Sequence, residues 1–196
     1  MKYENVKTGL STLFTAELLT IVGSFSGTFN GEGKTAVALL LSLVTAAAFV
    51  LNLVGLKKCA KDKPDYNKPF NLTIAALVLC MGLTVLSVAV KDLAFARYAN
   101  EIQSFMGYLV AFSVLKTTAP ILKECGREAE ATYADRTRQL YTAGIVLSVT
   151  FGTLADNISG STSVSSALVC GIMAVVILLV AEVRYIISLK KSSNAL

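Results

Sequence analysis

Residues 35–59 read TAVALLLSLVTAAAFVLNLVGLKKC, a run of 22 residues without a charge that stops at Lys57-Lys58. A hydrocarbon core about 30 Å thick is crossed by roughly 20 apolar residues in a helix, so the run predicts a membrane span. Its end, Leu56-Lys57-Lys58-Cys59, returns as Leu122-Lys123-Glu124-Cys125 and as Leu189-Lys190-Lys191-Ser192, spaced 66 and then 67 residues apart. That rhythm predicts an all-α integral membrane protein with six transmembrane helices, arranged as three tandem two-helix hairpins. The hairpins would form one membrane domain, 1–196, in units of approximately 1–62, 63–128 and 129–196. Each unit returns to its starting side, which makes the copies parallel repeats about an axis along the membrane normal. Part of the regularity is topological, because any inner helix end collects Leu and then Lys.

Composition agrees. The chain is 54% hydrophobic and 16% charged, and its mean hydropathy is +0.63. Globular domains are about 45–50% apolar and about 25% charged. The expected spans are 9–27, 35–56, 71–90, 102–122, 140–157 and 164–188. The fourth is interrupted by Lys116 and carries Pro120 in its last turn; the fifth is short and rich in Thr, Ser and Gly. A five-span or re-entrant arrangement is therefore the alternative. Lys2 and Lys7 precede a first segment that ends in Ser24-Phe25-Ser26, as in a cleaved signal peptide. Glu17 within the apolar run argues for a retained helix instead.

The formal charge of +5 is unevenly spread. Lys57, Lys58, Lys61, Lys63 and Lys68 fill the second connection, and Lys123, Arg127, Arg136 and Arg138 fill the fourth. The opposite loops hold only Lys34, Lys91 and Arg97. By the positive-inside rule both termini are expected in the cytoplasm, in a membrane of bacterial cytoplasmic type. The expected partner of the basic face is the lipid bilayer, through anionic lipid. Nucleic acid is not expected, since the basic groups line a membrane edge without interleaved aromatics. A homo-oligomer or a second membrane protein is the other partner class.

The chain has no His and no Trp. Without His it lacks the commonest general base and metal ligand, and no Asp, Glu, Lys or Cys cluster replaces it. No enzyme activity, cofactor or metal is expected. Tyr3, Tyr66, Tyr98, Tyr133, Tyr141 and Tyr185 lie near expected span ends, which predicts an interfacial belt. Cys80 and Cys170 fall inside spans, while Cys59 and Cys125 sit on the reducing side, so no disulfide is expected. In a eukaryotic cell Cys59 and Cys125 would be palmitoylation candidates.

Leu19-Thr20-Ile21-Val22-Gly23 resembles the glycine-bearing first helix of the HdeD-type bacterial membrane proteins, and three tandem helical hairpins resemble their layout. The outer turns lack the proline expected there. The resemblance implies a plan and no function.

Four residues make the candidate intramembrane polar site: Glu17, Lys116, Glu182 and Asn52. Glu17 lies eight residues past Gly9, about 12 Å into the first span and close to the midplane. A central carboxylate costs at least about 2.5–3.5 kcal/mol on insertion scales, so it needs a partner, water or a proton. Lys116 and Glu182 lie six and seven residues before their stops, which predicts an ion pair between the fourth and sixth helices, with Arg184 snorkelling to the headgroups. Gly27 to Thr35 imitates a phosphate loop but has five residues rather than four before Gly-Lys-Thr, and no strand precedes it. Small-residue spacings at Gly23/Gly27, Ala38/Ser42/Ala46, Gly144/Ser148/Gly152 and Ala167/Gly171 predict close helix packing. The sequons at Asn71 and Asn157 carry little weight. Residues 57–70 read as an extended lipid-facing loop, and 123–139 as a charged helical extension of the fifth span. Two functions follow: a non-enzymatic structural, assembly or stress-related membrane component, or a small transporter or channel with a proton- or cation-linked carboxylate.

Overall fold

Long runs of Leu, Ala and Val without internal breakers leave helix as the one structure that satisfies every backbone group away from water. The computed structural model describes residues 2–25, 35–91, 93–157 and 161–196, and the side chains of 35, 38, 93, 94, 96, 97, 100, 101, 148–171 and 174 lie outside that description. Six helices account for nearly all of it: α1 (Glu4–Ser24), α2 (Thr35–Asp62), α3 (Asn67–Val90), α4 (Leu93–Glu124), α5 (Glu128–Asn157) and α6 (Ser161–Ala195). No strand occurs among the described residues.

The connections at the basic end are tight. Residues 57–70 are not the extended loop that their prolines predict. α2 stays helical through Asp62, and a 3-10 turn over Pro64–Tyr66 leads straight into α3. Pro64 opens that turn, and Pro69 falls in the first turn of α3, where a missing N–H breaks no helical bond. Between α4 and α5, Gly126 adopts φ +71°. Arg127 N–H donates to Leu122 O at 2.8 Å and Gly126 N–H to Lys123 O at 3.0 Å. This is the Schellman arrangement, which satisfies the last carbonyls of α4 and needs glycine at the left-handed position. The helix-forming run after Arg127 becomes the first turns of α5.

Among the described residues three segments are long and apolar enough to cross a membrane: Leu39–Asp62, Pro64–Val90 and Ile102–Glu124. That is three of the six spans that the hairpin rhythm predicts. In α1 the cause is composition, since it carries Lys7, Glu17 and many hydroxyls; α5 and α6 include residues outside the described ones. The α1 hydroxyls are turned inward on their own helix, Thr8 donating to Glu4 O, Thr12 to Thr8 O and Thr20 to Ala16 O. About the last third of α5 and the first third of α6 have side chains outside the description.

Each helix packs chiefly on its hairpin partner, α1 on α2, α3 on α4 and α5 on α6; α4 on α5 and α1 on α6 complete the bundle, while α2 touches α3 only lightly. The core lies at the basic end. Val6, Leu10, Leu13, Leu56, Val114, Leu115, Ile121 and Leu122 are fully buried there, with Tyr66, Tyr141 and Tyr185 among them. α1 and α2 approach to backbone contact: a Cβ on Gly9 would fall 2.7 Å from the Gly55 carbonyl oxygen. In its apolar window α4 is 44% buried and α3 only 6%, so α3 is the helix that faces outward.

Polar ties close the basic end. Asp62, the last residue of α2, accepts from Asn5 N–H at 2.7 Å and Val6 N–H at 3.2 Å, and so caps α1 from another helix. Glu124 at the end of α4 accepts from the Tyr3 hydroxyl and pairs with Lys2 at 3.6 Å and Lys63 at 3.9 Å. Tyr3 and then Glu124 beside it hold the Lys2 ammonium above the usual lysine range. Ser193 Oγ donates to Lys7 O at 3.1 Å and joins α6 to α1.

Candidate functional site

Helix register brings the candidate acids together. Ser193 meets Lys7, so α6 runs antiparallel to α1. Glu17 lies ten residues beyond Lys7 and Glu182 eleven before Ser193, about 15 and 16 Å from that tie at 1.5 Å per residue. Asp62 meets Val6, and Asn52 lies ten residues before Asp62, about 15 Å along α2. Three helices thus place Glu17, Asn52 and Glu182 at one depth.

The side chains follow this register. Asn52 Nδ2 donates to Glu17 Oε1 at 3.3 Å. The Tyr141 hydroxyl donates to Glu182 Oε2 at 2.6 Å. The Glu182 carboxyl is close enough to act electrostatically on Glu17, and the fields of both reach Tyr141 and Tyr185. Both glutamates are half-buried. Tyr141 stacks edge-on with Tyr185 (centroids 6.1 Å, interplanar 80°) and tilted against Tyr108 (5.9 Å, 44°). A second hydroxyl pair lies nearby. Thr118 Oγ1 donates to Val114 O at 2.8 Å, which leaves the Tyr66 hydroxyl as the donor in its 2.7 Å bond to Thr118. Asn52 Oδ1 is buried with no hydrogen-bond partner.

Lys116 is not part of the cluster. It lies on an exposed face of α4, and among the described residues it makes no ion pair. The expected Lys116–Glu182 pair is therefore corrected. Equal depth along two helices does not decide which face each presents, and α4 turns Val114, Leu115 and Thr118 inward instead. The tyrosine belt is corrected too. Tyr98 is 54% exposed, but Tyr66, Tyr141 and Tyr185 are fully buried, each in a core that has a polar partner or an aromatic neighbour for it. Glu182 and Tyr185 stand at i, i+3 on one face of α6, a spacing that marks them as neighbours. Cys59 is fully buried rather than presented at the inner face, its thiol 3.7 Å from the Val6 carbonyl; Cys125 is exposed.

Gly23 packs on Thr45 and Gly144 on Leu178, at two of the expected small-residue positions. The Gly27 to Lys34 loop lies outside the described residues, as do the side chains of Asn157, Ala167 and Cys170. Among the described residues no group of His, Cys, Asp and Glu is arranged to hold a metal ion.

No protein-family model, curated protein or solved structure matches the chain. The resemblance in plan to the HdeD-type proteins accordingly carries no family assignment, and the site is read from its chemistry.

Proposed function

We propose that the chain is a multi-pass membrane protein whose interior binds a proton or a small cation at Glu17 and Glu182. The supporting observation is that two carboxyls at one depth, on α1 and α6, are held by neutral donors, Asn52 and Tyr141, with no cation between them among the described residues. Two bare carboxylates side by side in a low dielectric repel and are poorly solvated, so the pair needs a proton or a cation to neutralise it. A purely structural clamp between helices would be served as well by an amide.

In this reading all six helices cross the membrane as three tandem hairpins, with both termini on the cytoplasmic side of a bacterial-type membrane. The role is non-enzymatic. Flux through reconstituted liposomes tests it: an imposed pH gradient should dissipate faster with the wild-type chain than with Glu17→Gln or Glu182→Gln. Equal rates for empty liposomes, wild type and both variants would sink the proposal.

The second reading is a structural or assembly component of the membrane. It is favoured by two cavities at the basic end of α5 and α6, whose lining includes neither Glu17 nor Glu182. Under that reading Glu17→Gln leaves both flux and folding unchanged.

A further inference from the structure

Those two cavities share a wall made by Ala129 and the ring of Tyr133. Arg184 lies over that ring with its guanidinium carbon 4.4 Å from the centroid, and Lys191 Nζ stands 4.4 Å from the same centroid. Residues 184 and 191 are seven apart on α6, two helical turns, so both project to the face that meets α5. The cleft on one side, about 410 Å³, is bounded by Arg184 and Arg136. The cleft on the other, about 370 Å³, is bounded by Lys191 and Arg127.

None of these four cations has a carboxylate partner among the described residues. The ion pairs among the described residues use Lys2, Lys63, Lys123 and Arg138. Arg184 Nε is buried with no acceptor at all. A buried guanidinium N–H without an acceptor is a costly arrangement in a finished core and an ordinary one in a site awaiting an anion. Two carboxylates, Glu128 and Glu130, also border the clefts, against four cations. The balance stays positive, and α5 begins here, so the N–H groups of its first turn lack helical acceptors.

One further feature selects the kind of anion. Val176, Val180, Val183 and Ile187 run along α6 at helical spacing and are all exposed, forming an apolar stripe that ends beside Arg184. A soluble phosphate has no use for such a stripe; an acyl chain does.

We propose that the clefts flanking Tyr133 bind the phosphate of an anionic lipid headgroup, with Arg184 and Arg136 gripping it and the lipid's acyl chain lying along Val183 and Ile187. Arg supplies the planar fork that suits phosphate oxygens, and Tyr133 keeps the Arg184 fork in place. This rests on the membrane reading but not on the carboxylate pair, so loss of lipid binding with liposome flux unchanged would concern this site alone.

The test is native mass spectrometry of the full chain in detergent, titrated with dioleoylphosphatidylglycerol, with dioleoylphosphatidylcholine and with inorganic phosphate. Phosphatidylglycerol should be retained in preference to phosphatidylcholine, and Arg184→Ala should weaken it about tenfold, as expected for one charge-assisted contact. Arg136→Ala, at an exposed position with no ion-pair partner among the described residues, should weaken it in the same direction and keeps the test decisive if Arg184→Ala does not fold. Lys61→Ala, a basic residue on α2 outside the clefts, should leave binding unchanged. Equal weakening by Lys61→Ala would reduce the effect to bulk charge and overturn the site. Displacement of the lipid by millimolar inorganic phosphate, bound by wild type and lost in Arg184→Ala, would reassign the clefts to free phosphate and overturn the lipid.

Discussion

The bundle has two unlike ends. At the basic end helices touch backbone to backbone, tyrosines are fully buried, and side chains from one helix cap or clamp another. Toward the far end the large apolar side chains of α2 and α3 face outward: Leu39, Leu40, Leu43, Val85, Val88 and Val90 are all well exposed. In water such exposure would mark an aggregation liability; in a bilayer it is the surface that lipid covers. The difference teaches that apolarity alone does not tell core from lipid face in this chain. What marks the core is small residues and polar residues with partners, which is where helices in lipid gain contact.

The largest expected effect breaks the tight end directly. Gly9→Leu puts a branched side chain where a Cβ already collides with the Gly55 carbonyl, backbone that cannot swing aside. Overpacking costs about 1–3 kcal/mol and sometimes more, and this site lies toward the upper end. The matched control is Gly82→Leu on α3, where nothing lies within 4 Å of an added Cβ. It should be neutral or stabilising, because Gly is about 1 kcal/mol worse than Ala in a helix. Reversible unfolding in mixed micelles reads both; equal losses would erase the distinction between the two ends.

A smaller effect sharpens the contrast at the level of one oxygen. Tyr66→Phe removes the donor to Thr118 in a fully buried place and should cost about 1–2 kcal/mol in the same unfolding assay. Tyr98→Phe, at an exposed ring, should change stability by less than about 0.5 kcal/mol. If both cost the same, the buried hydroxyl pair contributes nothing of its own.

Much of this was legible in the residues and some was not, for physical reasons. Charge-free runs and Leu-Lys stops announce helices and where they end, because hydrophobic length and the positive-inside rule act on composition. Glu17 stands out by the same logic, since one acid among apolar neighbours is conspicuous. Asn52 and Glu182 stand out in the same way, but that they meet Glu17 does not. Asn52 and Glu182 join it through register set by distant ties, Asp62 on Val6 and Ser193 on Lys7. Lys116 shows the converse: its depth is readable along the chain, its face is not. Tyr141 and Tyr185 resemble belt residues because an amphipathic ring suits an interface and a polar core equally well. Gly9 and Gly55 escape a search for regular small-residue spacing, since each is a single contact point rather than one of a series.

The gentlest test leaves stability untouched and asks whether the tight end keeps water out. Single-cysteine chains retaining Cys125 or Cys59 would be exposed to a membrane-impermeant maleimide in inverted and in right-side-out vesicles. Cys125 sits exposed at the turn beside Gly126 and should label quickly, in inverted vesicles only if the basic end faces the cytoplasm. Cys59 is nearby in the membrane but wedged between α1 and α2 with no exposed surface, so it should label only after detergent unfolding. Rapid labelling of Cys59 would mean that the α1–α2 contact opens in the membrane, and the tight end would then differ from the far end in degree rather than kind. Labelling of Cys125 from the outside would leave the packing intact and reverse the orientation, moving the Tyr133 clefts to the opposite leaflet.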